Sequence, residues 1–462
     1  MTTNLEAGVT QEQIQQALER QRLHGGRLDA NLAAMGFLAE NTHNFLLHRT
    51  PKIPRTIEES GLDAAFITDL VMKHLLFMRE FKIQDVIERV KLSLPIVNQI
   101  VDAIRREKLV EIKGSEGLST STVRYAMTEA GKNRALTLLE ISRYVGPAPV
   151  TLEAYRHMVE VQSVRNIHVG VAEVKQAFSH LVVSEDLLHR LGPAISSGRG
   201  IFVYGPPGNG KTTIAETISK ILPDNIFIPY AVLVGDDVIT MYDPVTHVPV
   251  EDVSLDESND QRWVLTRRPI VMTGGELTLR MLDLEFNPIS KFYEAPLQMK
   301  ANNGLFIIDD FGRQQIDPHH LLNRWIVPLE RRNDFLSLQS GMKFEIPFDQ
   351  LSVFATNIEP KKLVDEAFLR RIPYKIKIDH PTEHEFKQVF RRVCDSNHLE
   401  FHEDIFEFLV ENFYHRLGVK FNACHPRDIV DNILDNARFQ EKSPVMTRES
   451  VTVAWENYFV DI

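Results

Sequence analysis

Gly205-Pro206-Pro207-Gly208-Asn209-Gly210-Lys211-Thr212-Thr213 combines glycines, a lysine and hydroxyls at the spacing a polyphosphate requires. Glycines let consecutive backbone N–H groups curl around phosphate oxygens. Lys211 is placed to reach the β- and γ-phosphates, and Thr212 to ligate Mg²⁺. A helix beginning at this point adds the positive end of its dipole. A second cluster lies downstream, where the apolar run Leu305-Phe306-Ile307-Ile308 ends in Asp309-Asp310. A run this apolar fits a strand buried on both faces, with its acids at the C-terminal edge beside the phosphate loop. There Asp309 would hold Mg²⁺, directly or through water, and Asp310 would position or polarise an attacking water. The two clusters imply a nucleoside triphosphate, ATP with Mg²⁺, and leave open what its binding drives.

The elements that must position these groups can be read around them. Ile201-Phe202-Val203-Tyr204 is an apolar strand leading into the loop, and Thr212-Thr213-Ile214-Ala215 opens a helix out of it. From about residue 166 strands and helices alternate, the pattern of a parallel α/β sheet. From about 382 the chain reads as mostly helical to the end. Between the two clusters lies an organised excess of chain. Val238–Val250 reads as two short strands around an Asp243-Pro244 turn, Glu251–Asp260 as an acidic loop, and Trp263–Thr266 and Pro269–Thr273 as further extended segments. A hairpin is expected from Asp334–Leu338 and Lys343–Pro347, turning at Ser340-Gly341.

Upstream, Gln11–Leu23 reads as one amphipathic helix ended by Gly25-Gly26. Residues 60–145 read as helices followed by a hairpin. A helix covers Ile83–Val90, and a second starts after Ser93, with Pro95 in its first turn, and runs to about Lys108. The hairpin strands are Leu109–Ile112 and Val123–Met127. Pro51–Pro54 and Gly146–Pro149 read as linkers. The second helix offers Asn98, Gln99, Arg105, Arg106 and Lys108, which could touch DNA, but in an acidic chain without a dense basic run a solvated face of a protein-interaction module is the favoured reading.

Composition removes several classes. The 462 residues are 43% hydrophobic and 25% charged, an ordinary soluble make-up with room for several domains. The net charge of −11 argues against a protein that coats nucleic acid. The two cysteines, Cys394 and Cys424, build neither a disulfide framework nor a metal-ligand spacing, which fits a reducing cytoplasm. The sequence shows no basic-then-apolar leader and no run of ~18 apolar residues, so any membrane connection is expected to run through a partner. Neighbours on a helix do not share a face, so His319 and His320 are poor metal ligands. His425 reads as structural. No Ser/His/Asp or Cys/His set suggests a second enzyme.

Taken together, the ordered motifs over residues 166–462 resemble an AAA+ ATPase. Leu351–Thr356 followed by Asn357 resembles the fourth core strand ending in the polar sensor 1, where Asn357 would contact the γ-phosphate and orient the water. Val364–Arg371 resembles the segment that presents arginine fingers to a neighbouring subunit, and gives that role to at least one of Arg370 and Arg371. Tyr374–Ile378 fits the fifth strand. His425-Pro426-Arg427-Asp428-Ile429 resembles the opening of the sensor 2 helix, with Arg427 coupling the lid to the γ-phosphate. Asp310 departs from the family, which usually has Glu there. Aspartate is one methylene shorter, so slow or partner-stimulated turnover is expected, although initiator and helicase-loader relatives also use an Asp pair. The stretch from Lys211 to Asp309 is also longer than in compact members. The hairpin before Asn357 resembles the pre-sensor-1 hairpin of the MoxR, magnesium-chelatase and replicative-helicase branch, which can project into a central pore. An aromatic pore loop of the protein-unfolding branch is not apparent.

Two further resemblances concern the N-terminal third. Arg27-Leu28-Asp29 through Leu32 and Gly36 is similar to the small N-terminal domain of type II secretion and pilus-extension ATPases. Some of those bind cyclic di-GMP there. Asp29 replaces a glycine of that pattern and would repel a phosphate, so a docking module is the expectation. Residues 60–145 resemble a winged-helix domain. The expected fold is therefore α/β, a P-loop AAA+ parallel sheet with a C-terminal helical lid, preceded by a small helical domain and a winged-helix-like domain. The boundaries are 1–50 docking domain, 51–59 linker, 60–145 winged-helix-like domain, 146–165 linker, 166–381 nucleotide-binding domain and 382–462 lid. The resemblance implies a homo-oligomer, a hexameric ring or spiral, that hydrolyses ATP at subunit interfaces to remodel a protein client recruited by the N-terminal domains. The alternatives are a DNA-acting ATPase, such as a loader or transposition helper, and an ATP-gated switch with little turnover.

Overall fold

The computed structural model describes residues 50–459 except 116–122, 168, 223, 251–257 and 365, together with Gln16, Arg20 and Met35. The expected docking domain at residues 1–50 thus lies almost wholly outside the described residues.

Five parallel strands form the central sheet: β1 (Ile201–Tyr204), β2 (Ile270–Thr273), β3 (Leu305–Ile308), β4 (Leu351–Thr356) and β5 (Tyr374–Lys377), in the order β5-β1-β4-β3-β2. β1, β3 and β4 are central and almost wholly buried. Their alternating residues feed two cores, as period-two side chains on a sheet covered on both faces must. Phe202, Phe306 and Phe354 pack with Trp325 on one face. Ile201, Val203, Leu305, Ile307 and Val353 pack with Leu191, Ile214 and Ile218 on the other. β2 was expected only as an extended segment. It is the sheet's edge, buried at Val271 and Thr273 and exposed at Ile270 and Met272.

Register fixes where the chemistry goes. Tyr204 pairs with Thr356, and Ile308 with both Phe354 and Thr273. The strands therefore end at one edge, and Gly205, Asp309 and Asn357, which follow β1, β3 and β4, emerge there together.

The excess chain between the motifs is a β unit with its own core. One sheet runs Glu285–Asn287, Phe292–Glu294, Asp237–Thr240, Ala231–Val234 and Val150–Thr151, and Asn225–Pro229 pairs antiparallel with Trp263–Arg267. The expected strand pair around Asp243-Pro244 is not formed. Asp237–Thr240 pairs instead with Ala231–Val234 across the tight turn at Gly235-Asp236, and Pro249 makes a single bridge to Thr266. Local turn residues suggested the nearer partner, but burial of Val232 and Ile239 in the unit's core selects the other.

The hairpin Asn333–Ser337/Lys343–Pro347 forms in the expected place. Its packing differs from a projecting hairpin. Leu336, Leu338, Phe344 and Ile346 are buried in the core of the β unit, and Gln339 N donates to the Tyr293 hydroxyl at 2.8 Å.

Ahead of the sheet come helices Ala64–Leu75, Ile83–Val90 and Leu94–Arg106, the antiparallel pair Val110–Ser115/Val123–Met127 and helix Glu129–Ile141. The stretches read as linkers have a different role in the folded chain. Asp260 N donates to Pro51 O, Val150–Thr151 is a strand, and Leu152–Val161 is a helix. Arg262, buried, ion-pairs with Asp260 and donates to the carbonyls of Ser60 and Pro149, tying both stretches to the β unit. The guanidinium's fixed fork suits it to that three-way junction.

Residues after 382 form a helical unit: Glu383–Ser396, Glu403–Leu409 with a wider turn over Val410–His415, His425–Phe439 and Arg448–Tyr458. Phe386, Phe390, Tyr414 and Trp455 fill its centre. Among the described residues, no helix is long and apolar enough to cross a membrane.

Candidate nucleotide site

A cleft of about 680 Å³ opens where β1, β3 and β4 end. Pro207–Thr213 line its floor, Asp309, Asp310 and Asn357 one wall, and the helical unit contributes Arg392, Cys424 and Arg427. The size suits a ligand of nucleotide dimensions.

The floor needs its glycines. A Cβ on Gly205 would lie 1.9 Å from Ile378 O, and Gly208 and Gly210 have φ of +75° and +76°. Gly210 caps helix Lys211–Ser219, so the helix's unpaired N–H groups face the cleft. Lys211 is 7% exposed, and its ammonium donates to Pro206 O at 2.8 Å. Burial pulls its pKa down, against the opposing pull of Asp309 and Asp310.

The acids are held by the fold. Thr212 Oγ1 donates to Asp309 Oδ2 at 2.7 Å, and the other carboxylate oxygen accepts from Asp310 N at 2.9 Å. Asp310 takes φ +46°, a left-handed turn that aspartate tolerates better than most residues. Its carboxylate accepts from Asn357 Nδ2 at 3.1 Å. Two residues read from separate motifs are therefore in direct contact. Arg427 stands in the first turn of His425–Phe439, 69% exposed, with Nε 3.6 Å from Asp428.

Arg370 and Arg371 do not line the cleft. Arg371 is bound to Glu330, with Nη2 3.1 Å and Nε 3.2 Å from the same carboxylate oxygen, and its side chain is 14% exposed. Arg370 is exposed. The two arginines, indistinguishable by sequence, thus differ in availability.

The far end of the cleft was not anticipated. His180, Leu181, Val182 and Val183 face Val389 and Val393 of the helical unit across an apolar slot. Arg392 bridges the two sides by donating to Ser179 O at 3.0 Å. No motif marks these residues, because the slot forms only when distant segments pack.

A family described as "Domain of unknown function (DUF8689)" matches residues 382–457, the helical unit. The chain is 24% identical over 151 residues to the proteasome-activating nucleotidase of Methanocella arvoryzae, a stretch that is 30% of this chain and 36% of that protein. The chain thus spans little more than a third of that relative. Solved structures with similarity include domain III of the Thermotoga maritima replication initiation protein DnaA, with TM-score 0.36, 15% identity and coverage of 62% of this chain and 98% of that one. The RuvB Holliday junction branch migration motor of Thermotoga maritima gives TM-score 0.34 and 15% identity over 66% of this chain and 74% of its own. NtrX of Brucella abortus in complex with ADP gives 0.37 and 12% over 70% and 65%. The five-stranded parallel sheet, flanked by helices, and the helical unit together make an α/β fold.

His425 lies behind the cleft, as a structural residue. Tyr414 OH is 3.0 Å from its Nδ1, and Asn422 Nδ2 donates to its Nε2 at 3.2 Å. Burial pushes its pKa down to about 4. An unfolded histidine titrates near 6.5, so between these values the unfolded chain binds more protons and stability is lost as pH falls. The loss for this group is expected to approach ~1.4 kcal/mol per pH unit within that window. Melting temperatures taken from pH 7 to pH 4.5 should fall more steeply for the unaltered chain than for His425→Gln.

Proposed function

We propose that this chain is the subunit of an AAA+ machine that binds ATP with Mg²⁺, hydrolyses it between subunits and uses the motion of its helical lid to remodel a protein partner. The observation that carries the reading is the convergence of Lys211, Thr212–Asp309 and Asp310–Asn357 at one sheet edge under Arg427. Loop amides and Lys211 bind the phosphates. Asp310, oriented by Asn357, accepts a proton from the attacking water as it adds to the γ-phosphorus and the bond to the β-phosphate oxygen breaks. Arg427 follows the terminal phosphate and draws the lid with it.

Mg²⁺ suits the residues present. Thr212 Oγ1 and Asp309 Oδ2 are hard oxygen donors lying side by side. Among the described residues, no group of three or more His, Cys, Asp or Glu could hold an ion alone, so the ion would arrive with the phosphates. Bound there, it would withdraw charge from the phosphoryl oxygens.

Lys211→Ala tests the reading. Loss of a charged donor to phosphate should weaken ATP binding about 10- to 100-fold, measured by titration calorimetry. Unchanged affinity would remove the site assignment.

A protein client is favoured over DNA by the face of helix Leu94–Arg106. Its exposed Arg105 is matched by the chain's own Asp102 at 3.1 Å, and Glu107, which follows the helix, is paired with Arg134 at 3.1 Å, so acids are interspersed with the basic side chains there. The DNA-acting reading keeps the winged-helix-like order of elements in its favour, and predicts binding that falls steeply with salt. A setting in secretion or pilus assembly rests on the resemblance of residues 1–50 alone. Turnover below detection with ATP-dependent assembly would favour the switch.

A further inference from the structure

The phosphate loop touches two things at once. Its backbone N–H groups face the cleft, while Gly208 O and the Asn209 side chain face the helical unit. Asn209 is 6% exposed, and its amide is used at both ends. Its Oδ1 accepts from Ala423 N at 3.0 Å, and its Nδ2 donates to Asn422 Oδ1 at 3.3 Å. Beside it, Gly208 O accepts from Cys424 N at 2.8 Å. The fit is close, since a Cβ on Gly208 would lie 2.6 Å from Cys424 Sγ.

The far side of this contact is held just as firmly. His380 Nδ1 lies 2.9 Å from both Phe421 O and Asn422 Oδ1, acceptors that require it to carry a proton. Asn422 Nδ2 donates to His425 Nε2, and Tyr414 connects that ring to the aromatic core. Cys424 caps the helix His425–Phe439, so Arg427 stands three residues from the contact.

We propose that Asn209 is a positioning residue: it latches residues 422–424 to the phosphate loop, so that ordering of the loop by phosphate sets the position of the lid and of Arg427. The inference rests on the reading of the cleft as an ATP site. It goes beyond that reading by routing the signal through the loop's outer face, independently of any direct contact between Arg427 and phosphate. Phosphate ordering fixes the backbone at Gly208–Gly210, which fixes the Gly208 carbonyl and the Asn209 Cα, and with them three hydrogen bonds to one short lid segment. A two-state lid can be biased by such a contact only if its energy differs between bound and free loop.

The test uses the full chain and compares Asn209→Ala, Asn422→Ala and the double variant with the unaltered protein. ATP binding is measured by calorimetry, turnover by phosphate release, and lid motion by hydrogen exchange of peptides spanning 421–439. In the unaltered chain ATP should slow exchange there. In Asn422→Ala, whose residue does not line the cleft, ATP should bind within about threefold of normal, the protection of 421–439 should be lost, and kcat should fall about tenfold with KM little changed. Asn209→Ala, which leaves the Asn422 contacts to His380 and His425 in place, should likewise lose the protection of 421–439 and turnover, and either single variant remains informative if the other fails to fold. The double variant should lose clearly less than the product of the two single losses, because both single variants remove the Asn209–Asn422 hydrogen bond. Multiplicative losses, or protection intact in either folded single variant at saturating ATP, would overturn the latch while leaving the nucleotide reading in place. No ATP binding by the unaltered chain would sink the nucleotide reading, and the latch as its sensor with it.

Discussion

Asp310→Asn is expected to bind ATP within a few fold of the unaltered chain and to lose turnover by about 10²- to 10⁴-fold, the range for removal of a positioned proton acceptor. The substitution keeps the shape of the side chain. The asparagine oxygen can still accept from Asn357 Nδ2, now at 3.1 Å from the carboxylate, and asparagine tolerates the φ of +46° at this position. What is lost is the anion. An amide cannot take the proton released as water attacks phosphorus. Asp309, one residue away, is committed to Thr212 and to Asp310 N, so it has no free geometry in which to substitute. Single-turnover phosphate release, together with calorimetric binding, separates the two effects. Turnover within tenfold of normal would mean that the water is activated elsewhere in the cleft, and the assignment of Asp310 would fail. The contact with Asn357 also bears on the shorter side chain. An aspartate anchored by Asn357 holds its carboxylate at a fixed height above the end of β3, so the missing methylene must be met by the water moving closer.

The parts of this candidate site that are legible in the sequence share one property: the residues brought together lie within a few positions of a buried strand's end. Gly205, Asp309 and Asn357 each follow such a strand, and parallel register does the rest. β2 escaped recognition as a core strand because it forms the sheet's edge. Its exposed Ile270 and Met272 alternate with buried neighbours, so its pattern gives no sign of the two-sided burial of β1, β3 and β4. The β unit defeated local reading for another reason. Val150–Thr151, Ala231–Val234 and Phe292–Glu294 meet in one sheet although long stretches of chain separate them, and nothing in the turn residues encodes that. The latch at Asn209 was invisible in the same way. Its partners Asn422 and Ala423 are 213 and 214 residues distant, and only packing of the helical unit brings them near.

Arg370→Ala is expected to leave ATP binding nearly unchanged and to reduce turnover by on the order of 10³-fold, the scale of an arginine that stabilises transferring phosphoryl charge from a neighbouring subunit. Arg371→Ala should do much less. Arg371 is committed to Glu330 on the helix Pro318–Arg331, and losing a pair whose acid is 55% exposed should change stability by about 0–1 kcal/mol. Equal losses in both variants would show that the Glu330 pair gives no discrimination between the two arginines. The decisive measurement mixes inactive proteins. An Asp310→Asn subunit retains Arg370, and an Arg370→Ala subunit retains Asp310. If the active site is completed across an interface, random co-assembly leaves about one interface in four with both groups intact, because each is drawn independently from the two subunit types. Turnover should reappear on mixing, at a level set by that fraction and by how strongly neighbouring sites depend on one another. No recovery in a mixture shown by mass to contain hetero-oligomers would mean that Arg370 acts within its own chain or not at all. The interface mechanism would then lose its only donor among the two candidates, because Arg371 is held against its own subunit by Glu330.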